Sequence, residues 1–424
     1  MTSSTSSSSS RRRTAFLLAG AILLGCAGHG RAVAPARPAF RVALFPLQNL
    51  SGAAIPTRGL LVDLDRRLGA AGLEVVSGAL VDRFLAAHRI RYTGGVDNEV
   101  ARAAREDLGV EGILITSIEL YGTSSPPRFA ATMRLVSTDD EPRLLWIDGT
   151  GRTGDDHPGI LGLGLVSSIR VLEPSELERL TSSLRDYLDG RTGIPHGCPP
   201  DWRFYPRIAF RSGSFDPGQP LTVAVLPFMN ETSRRSSGEV VALHLMRQLA
   251  AVPNLRVIDP GLVRDRLLRY RIIMEGGVSL DTARVMLTTL NADLVLAGYV
   301  RDYEDAAGAF GAPRVNFSAL LLERRTERVV WEFSSHNSGD DSVFFFDVGR
   351  ISTANALTCR MARDAVDDLL GVRYGMPHRV RRPSGPVLPP QVPAQPTAPP
   401  EPGNSATPGE RAPEPPGQAG PARP

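Results

Sequence analysis

Two short acidic motifs are the places where this chain could do chemistry: Gly154-Asp155-Asp156, followed by His157, and Gly339-Asp340-Asp341, followed by Ser342. Adjacent carboxylates suit Ca²⁺, but that ion takes about six to eight oxygen ligands, and no ladder of further acids surrounds either pair. Asp155-Asp156-His157 has the residue types of a transition-metal site, yet Ser342 stands where the second motif would need its histidine. Acids ahead of a helix also suit its positive amino end, a structural use that requires no ligand. His196-x-Cys198 offers two zinc ligands where a site needs three or four, and no second cluster completes it. No Gly-x-Ser-x-Gly elbow occurs, and the chain has no lysine, which excludes a Schiff base and a P-loop lysine. The expectation is therefore no catalytic residue, no metal and no cofactor. Asp155, Asp156, Asp340 and Asp341 are the polar residues to test first.

Glycine pairs and prolines read as punctuation. Gly94-Gly95 and Gly276-Gly277 each lie between two predicted helices, not in a strand-to-helix turn, and neither completes a GxGxxG spacing, so they read as helix stops. Pro46 with Asn49, and Pro227 with Asn230, follow the first strand of each half and read as turn chemistry. The carboxyl end of such a strand is also where open α/β sheets bind ligands.

The formal charge of +3 arises at the amino terminus, where Arg11, Arg12 and Arg13 have no acidic neighbour. Beyond residue 25 the chain is balanced, and a balanced chain has no broad positive field for nucleic acid. Those arginines precede an apolar run, Ala15–Leu24, that ends at small residues, the form of a secretion signal. As a helix the run rises about 15 Å, half of a ~30 Å hydrocarbon core, so it is too short to span. Leu23-Leu24-Gly25-Cys26 resembles a bacterial lipoprotein processing box. The resemblance implies that Cys26 is lipidated and becomes the new amino terminus, and Ala27 after it implies the outer membrane. Thr14-Ala15 spaces the arginines from Phe16-Leu17 by one residue more than a twin-arginine signal expects, which favours Sec export.

These features sit on a chain written twice. "VALFPLQNLS" from Val42 recurs as "VAVLPFMNET" from Val223, and residues 73–96 match 255–278 without a gap. The match continues through Trp146 and Trp331 to the two Gly-Asp-Asp motifs, then to Gly164 with Ser167 and Gly349 with Ser352. Each copy reads as a short buried strand, an amphipathic helix, a second strand, two helices around the Gly-Gly break, three strands and a closing helix. The fold class is α/β, as two tandem copies of a mixed-sheet domain. The expected organisation is a signal peptide at 1–25, a linker at 26–39, copy 1 at 40–190, a Pro/Gly-rich linker at 191–219, copy 2 at 220–372 and a disordered Pro-rich tail at 373–424. Trp202, Phe204 and Tyr205 suggest that the middle linker packs on a domain. Trp146 and Trp331 read as core. Cys198 and Cys359 either pair as a disulfide, as an oxidising compartment permits, or are simply buried.

Strand, Pro, Asn-containing loop, helix, "RVIDP", helix, Gly-Gly, then "ADLVLAGYV" resembles periplasmic lipoprotein domains of the curli-secretion-component type. It is also similar to the amino-terminal domain of the Tol–Pal translocation protein TolB and to lipoprotein activators of penicillin-binding proteins. Val223–Asn230, Val257–Pro260 and Ala292–Val300 carry the likeness; copy 1 departs from it at Ser77-Gly78 and Gly109. The resemblance implies a non-catalytic lipoprotein on the periplasmic face of the outer membrane, held there by its lipid. Its partner would be another envelope protein or the peptidoglycan machinery. A curli-type secretion channel is the alternative, but it needs membrane-crossing hairpins that the connections 122–127 and 304–313 are too short to hold. An envelope hydrolase with an unfamiliar site is a further alternative.

Overall fold

Short apolar runs bounded by turns become strands, and the first run in each half seeds a sheet. The computed structural model describes residues 39–156, 164–198, 204, 206–272, 279–305, 311–341, 343 and 349–372. In the first half β1 (Arg41–Leu44) runs parallel to both β3 (Glu74–Val76) and β4 (Gly112–Gly122). β4, β5 (Arg128–Ser137) and β6 (Leu144–Thr153) are antiparallel in turn, so the order is β3-β1-β4-β5-β6. Pro46 interrupts the ladder, which resumes as β2 (Gln48–Asn49) on β4.

The second half repeats this order as β10-β8-β11-β12-β13, built from Leu255–Val257, Leu221–Val225, Leu294–Glu304, Arg314–Glu323 and Arg328–Ser338. β9 (Met229–Asn230) follows Pro227 onto β11. Even the irregularities correspond: the register shifts between Ile118 and Leu120 in β4, and between Val300 and Asp302 in β11. One strand has no counterpart. β7 (Ile208–Arg211), in the segment read as a linker, adds to the free edge of β13.

The helices are α1 (Thr57–Ala70), α2 (Ala79–Ala87), α3 (Asn98–Ala103), α4 (Ile169–Leu188), α5 (Ser237–Ala250), α6 (Pro260–Arg269), α7 (Leu280–Thr289) and α8 (Ala354–Leu369). α3 continues as a π turn to Leu108 and stops at Gly109, which has φ +63°. The closing helices start at Ile169 and Ala354 because Ser168 and Thr353 cap them: their hydroxyls accept from Arg170 N at 3.3 Å and from Ala356 N at 3.1 Å.

Four cores result. Leu60, Leu64 and Leu68 of α1 and Leu177, Leu180 and Leu184 of α4 cover one face of the first sheet, with Trp146 beneath. Val81 and Phe84 of α2 and Ala101 of α3 pack on Ala43, Ile113 and Ile115 from the other face. In the second half Val241, Leu245 and Leu249 of α5 and Leu357, Met361 and Ala365 of α8 cover Trp331, while Val263 and Met286 sit on Ala224 and Val295. Each leucine so buried contributes about 1.5–3 kcal/mol relative to exposure. The two halves belong to one compact unit. Among the described residues no helix is long and apolar enough to cross a membrane.

Candidate functional site

The two sheets differ in what covers them. Along β12 and β13 buried and accessible residues alternate, the signature of a sheet with one open face. β5 and the middle of β6 are buried almost continuously, although Thr132, Arg134 and Asp148 there are polar. Their cover comes from the other half. Helices α5 and α8 lie between the sheets, with apolar stripes on the second sheet and polar stripes on the first.

The seam they form is ionic. Asn355 of α8 donates to Glu119 Oε2, and His244 of α5 lies 3.4 Å from the same oxygen. Burial alone would raise the Glu119 carboxyl, but the His244 imidazole and the Asn355 amide hold it below its ordinary value. Asp148 in the middle of β6 stands 3.3 Å from both Arg179 of α4 and Arg247 of α5. Burial pushes the Arg247 guanidinium down, and Asp148 opposes that shift.

At a third point Asp259, the cap of α6, accepts from Gly261 N at 2.8 Å and from Val96 N of the first half at 2.7 Å. The guanidinium of Arg134 lies 3.4 Å away. Burial raises the Asp259 carboxyl despite these partners.

That third point corrects the reading of Gly94-Gly95. Helix α2 ends at Ala87, and the chain turns at Arg89, whose φ is +54°, well before the glycines. Gly95 instead lies against the backbone of Gly261 with no room for a Cβ, and the Gly94 carbonyl accepts from Arg134. Gly95 marks a close approach between halves, and the pair is not a helix stop. Gly276 and Gly277 lie outside the described residues.

The acidic motifs also take a structural place. Asp156 Oδ2 accepts from Thr153 N at 3.0 Å, and Asp341 Oδ2 from Ser338 N at 2.8 Å, closing the same turn after β6 and after β13. Asp155 accepts from the Thr153 hydroxyl, while Asp340 lies 3.5 Å from Arg350. The motif glycines, Gly154 and Gly339, meet the carbonyls of Val166 and Ile351, which a side chain would displace. The acids therefore tie a turn to its own strand and do not cap the closing helix; Asp305 serves α8 by accepting from Ala354 N at 2.9 Å. His157 and Ser342 lie outside the described residues. Among the described residues no three His, Cys, Asp or Glu side chains are grouped to hold a metal ion.

Asn49 and Asn230 scaffold equivalent loops, each accepting from the backbone two residues on and donating to the carbonyl four residues on. Beside Pro227, at the carboxyl end of β8, is an apolar cavity of about 370 Å³ that includes Leu243, Met246 and Val263, with Arg134 at its wall. Cys198 and Cys359 are joined by a disulfide with Cα atoms 6.1 Å apart. His196 contributes only its carbonyl, which accepts from Gln248 at 2.9 Å. Phe204 is buried, and its N–H donates to Asp364 at 2.7 Å, so part of the middle segment packs on the second half. Cys26 and the Pro-rich tail lie outside the described residues.

Among the described residues, nothing covers the face of the second sheet that matches the covered face of the first. Tyr299, Asn316, Ser318, Ser334 and His336 are partly accessible, Arg301 and Glu332 are exposed, and Ile208 and Phe210 of β7 extend it. Taking Trp331 as the counterpart of Trp146, Ser334 and His336 replace Gly149 and Gly151. No signal in a single sequence separates an open sheet face from one covered by another domain.

Neither a protein-family model nor a curated protein sequence matches the chain. Solved structures similar to part of it include the PelC dodecamer from Paraburkholderia phytofirmans, at 14% identity over 38% of this chain and 94% of that one, with a TM-score of 0.27. Lipoprotein GNA1162 from Neisseria meningitidis matches at 19% identity over 35% of this chain and 99% of its own, with a TM-score of 0.26. The LpoB C-terminal domain from Salmonella enterica matches at 12% over 30% and 87%, with a TM-score of 0.22.

Proposed function

We propose that the chain is a non-catalytic, lipid-anchored envelope protein that works by binding another envelope component through the open face of its second sheet. The observation that carries this reading is the contrast between matched faces. The first sheet's face is closed by helices α5 and α8, whereas the second sheet presents Tyr299, Ser318, Ile208 and Phe210 with no helix over them among the described residues. The molecule itself supplies the precedent for what such a face takes: a pair of helices. The occupant is a helical surface of a partner protein of the envelope, the peptidoglycan machinery included.

A second copy of this chain fits the face poorly. Its outward helices carry Asp63, Arg66 and Arg170 where α5 and α8 present His244, Arg247 and Asn355, and the open face lacks the glycines that admit a close helix. The seam ionisable groups are buried and paired within the molecule, which is the use of structural groups and not of an exposed acid or base.

The anchor is Cys26, on the periplasmic side of the outer membrane, and the two halves are copies of one domain that have come to serve different ends. One acyl chain alone binds only marginally, so firm anchoring requires several. Fractionation of cells carrying Cys26→Ala tests the anchor: release of the protein from the membrane fraction is expected. Unchanged membrane association would contradict it.

A further inference from the structure

A cavity of about 500 Å³ opens along the seam between the halves, walled by the end of β6, the first turns of α8 and the disulfide. Five guanidinium groups border it: Arg152 and Arg179 from the first half, and Arg247, Arg350 and Arg360 from the second. The carboxylate that borders it is Asp156. Behind the wall Asp148 serves both Arg179 and Arg247, Glu176 lies 3.5 Å from Arg179, and Asp340 lies 3.5 Å from Arg350.

Arg247 is the group that is not satisfied. It is 1% exposed, yet its Nε and Nη2 have no hydrogen-bond partner among the described residues, and the ion pair with Asp148 does not supply hydrogen-bond geometry. Its Nη1 reaches only the sulfur of Cys359, at 3.6 Å. A buried guanidinium with idle donors calls for an acceptor, and tetrahedral or planar oxyanions match its fork geometry. Asn355, at the positive end of α8, also lines the cavity, with its amide held by Glu119.

We propose that this cavity binds a phosphate-bearing ligand of sugar-phosphate size, held between the two halves by Arg247, Arg350 and Arg360 and met from the first half by Arg152 and Arg179. The volume exceeds that of bare phosphate and falls within the usual range for small-molecule pockets, about 300–1,000 Å³. A ligand seated there touches both halves and fixes one against the other. The site is independent of the anchor and of the open sheet face.

Calorimetric titration of the full-length chain in detergent at low ionic strength tests it, with inorganic phosphate, glucose 6-phosphate and glycerol 3-phosphate as probes and chloride at matched ionic strength as the control. Saturable binding of the phosphate compounds is expected, weakened about tenfold or more by either Arg350→Gln or Arg360→Gln, since each removes a charge-assisted contact. Arg314→Gln, on an exposed strand end away from the cavity, should leave it unchanged. Tighter binding of glucose 6-phosphate assigns the site to a soluble sugar phosphate, and tighter binding of glycerol 3-phosphate assigns it to a phospholipid headgroup. Heat no greater than that of chloride, or binding indifferent to both cavity substitutions, would overturn the proposal.

Discussion

Asn355, in the first turn of α8, rests on the backbone of Gly151 in β6 so closely that no Cβ fits on that glycine. Gly149 is similarly pressed, by Arg247 Nη1 at 2.9 Å from where a Cβ would stand. Gly151→Ala is therefore expected to lower stability by about 1–3 kcal/mol, the usual cost of forcing a methyl into a packed seam. Ser334→Ala and His336→Ala, at the matched positions of the open face, should stay within about 0.5 kcal/mol. Urea midpoints measure both, and a neutral Gly151→Ala would mean that the halves do not meet as described.

Glu119 makes the seam sensitive to acid. Its carboxyl is depressed in the folded state, because burial is outweighed by His244 and Asn355. A depressed folded value means that its contribution is complete above the ordinary value of 4.5 and is lost as pH falls through the folded value. Glu119→Gln should therefore flatten the decline of stability below that pH. Thermal melts across the acid range check this; an unchanged profile would remove Glu119 as its source.

Asp259 ties three elements with one side chain: it caps α6, accepts from Val96 and faces the buried Arg134. Asp259→Ala leaves that guanidinium buried without a counter-charge, so a loss of about 3–5 kcal/mol is expected. Replacing the pair together, with Arg134→Met in the same chain, should recover part of that loss. Additive losses in a double-mutant cycle would show that the two groups do not interact.

The disulfide closes a loop of sequence separation 161, from the middle segment to α8. The chain-entropy model puts its contribution at about 5 kcal/mol, an upper figure. Reductant should lower the urea midpoint of the wild-type chain and leave that of Cys198→Ser unaltered. Equal midpoints with and without reductant in the wild type would show that the bond contributes nothing.

Much of each half is legible in the sequence because its elements follow local rules. The apolar runs at Val42 and Val223, the four-residue spacing of Val241, Leu245 and Leu249, and the two buried tryptophans are set by burial on one face or two. The seam is not legible, because nothing local distinguishes Thr132, Arg134 and Glu119 from residues of a solvated sheet face. Their burial depends on helices that arrive more than a hundred residues later. The same holds for Gly94-Gly95 and for the Gly-Asp-Asp motifs, whose recurrence marks a turn and a close approach of the segment ahead of the closing helix. β7 is hidden for another reason: Ile208–Arg211 is too short to stand out from its Pro- and Gly-rich surroundings.

The open face of the second sheet is tested most directly by placing a photo-crosslinking residue at Phe210 or Tyr299 in intact cells, with Val62 on the outer side of α1 as the comparison. Adducts to a discrete envelope protein from Phe210 and Tyr299, and none from Val62, are the predicted result. No adduct from the sheet face, or the same adducts from Val62, would contradict the account.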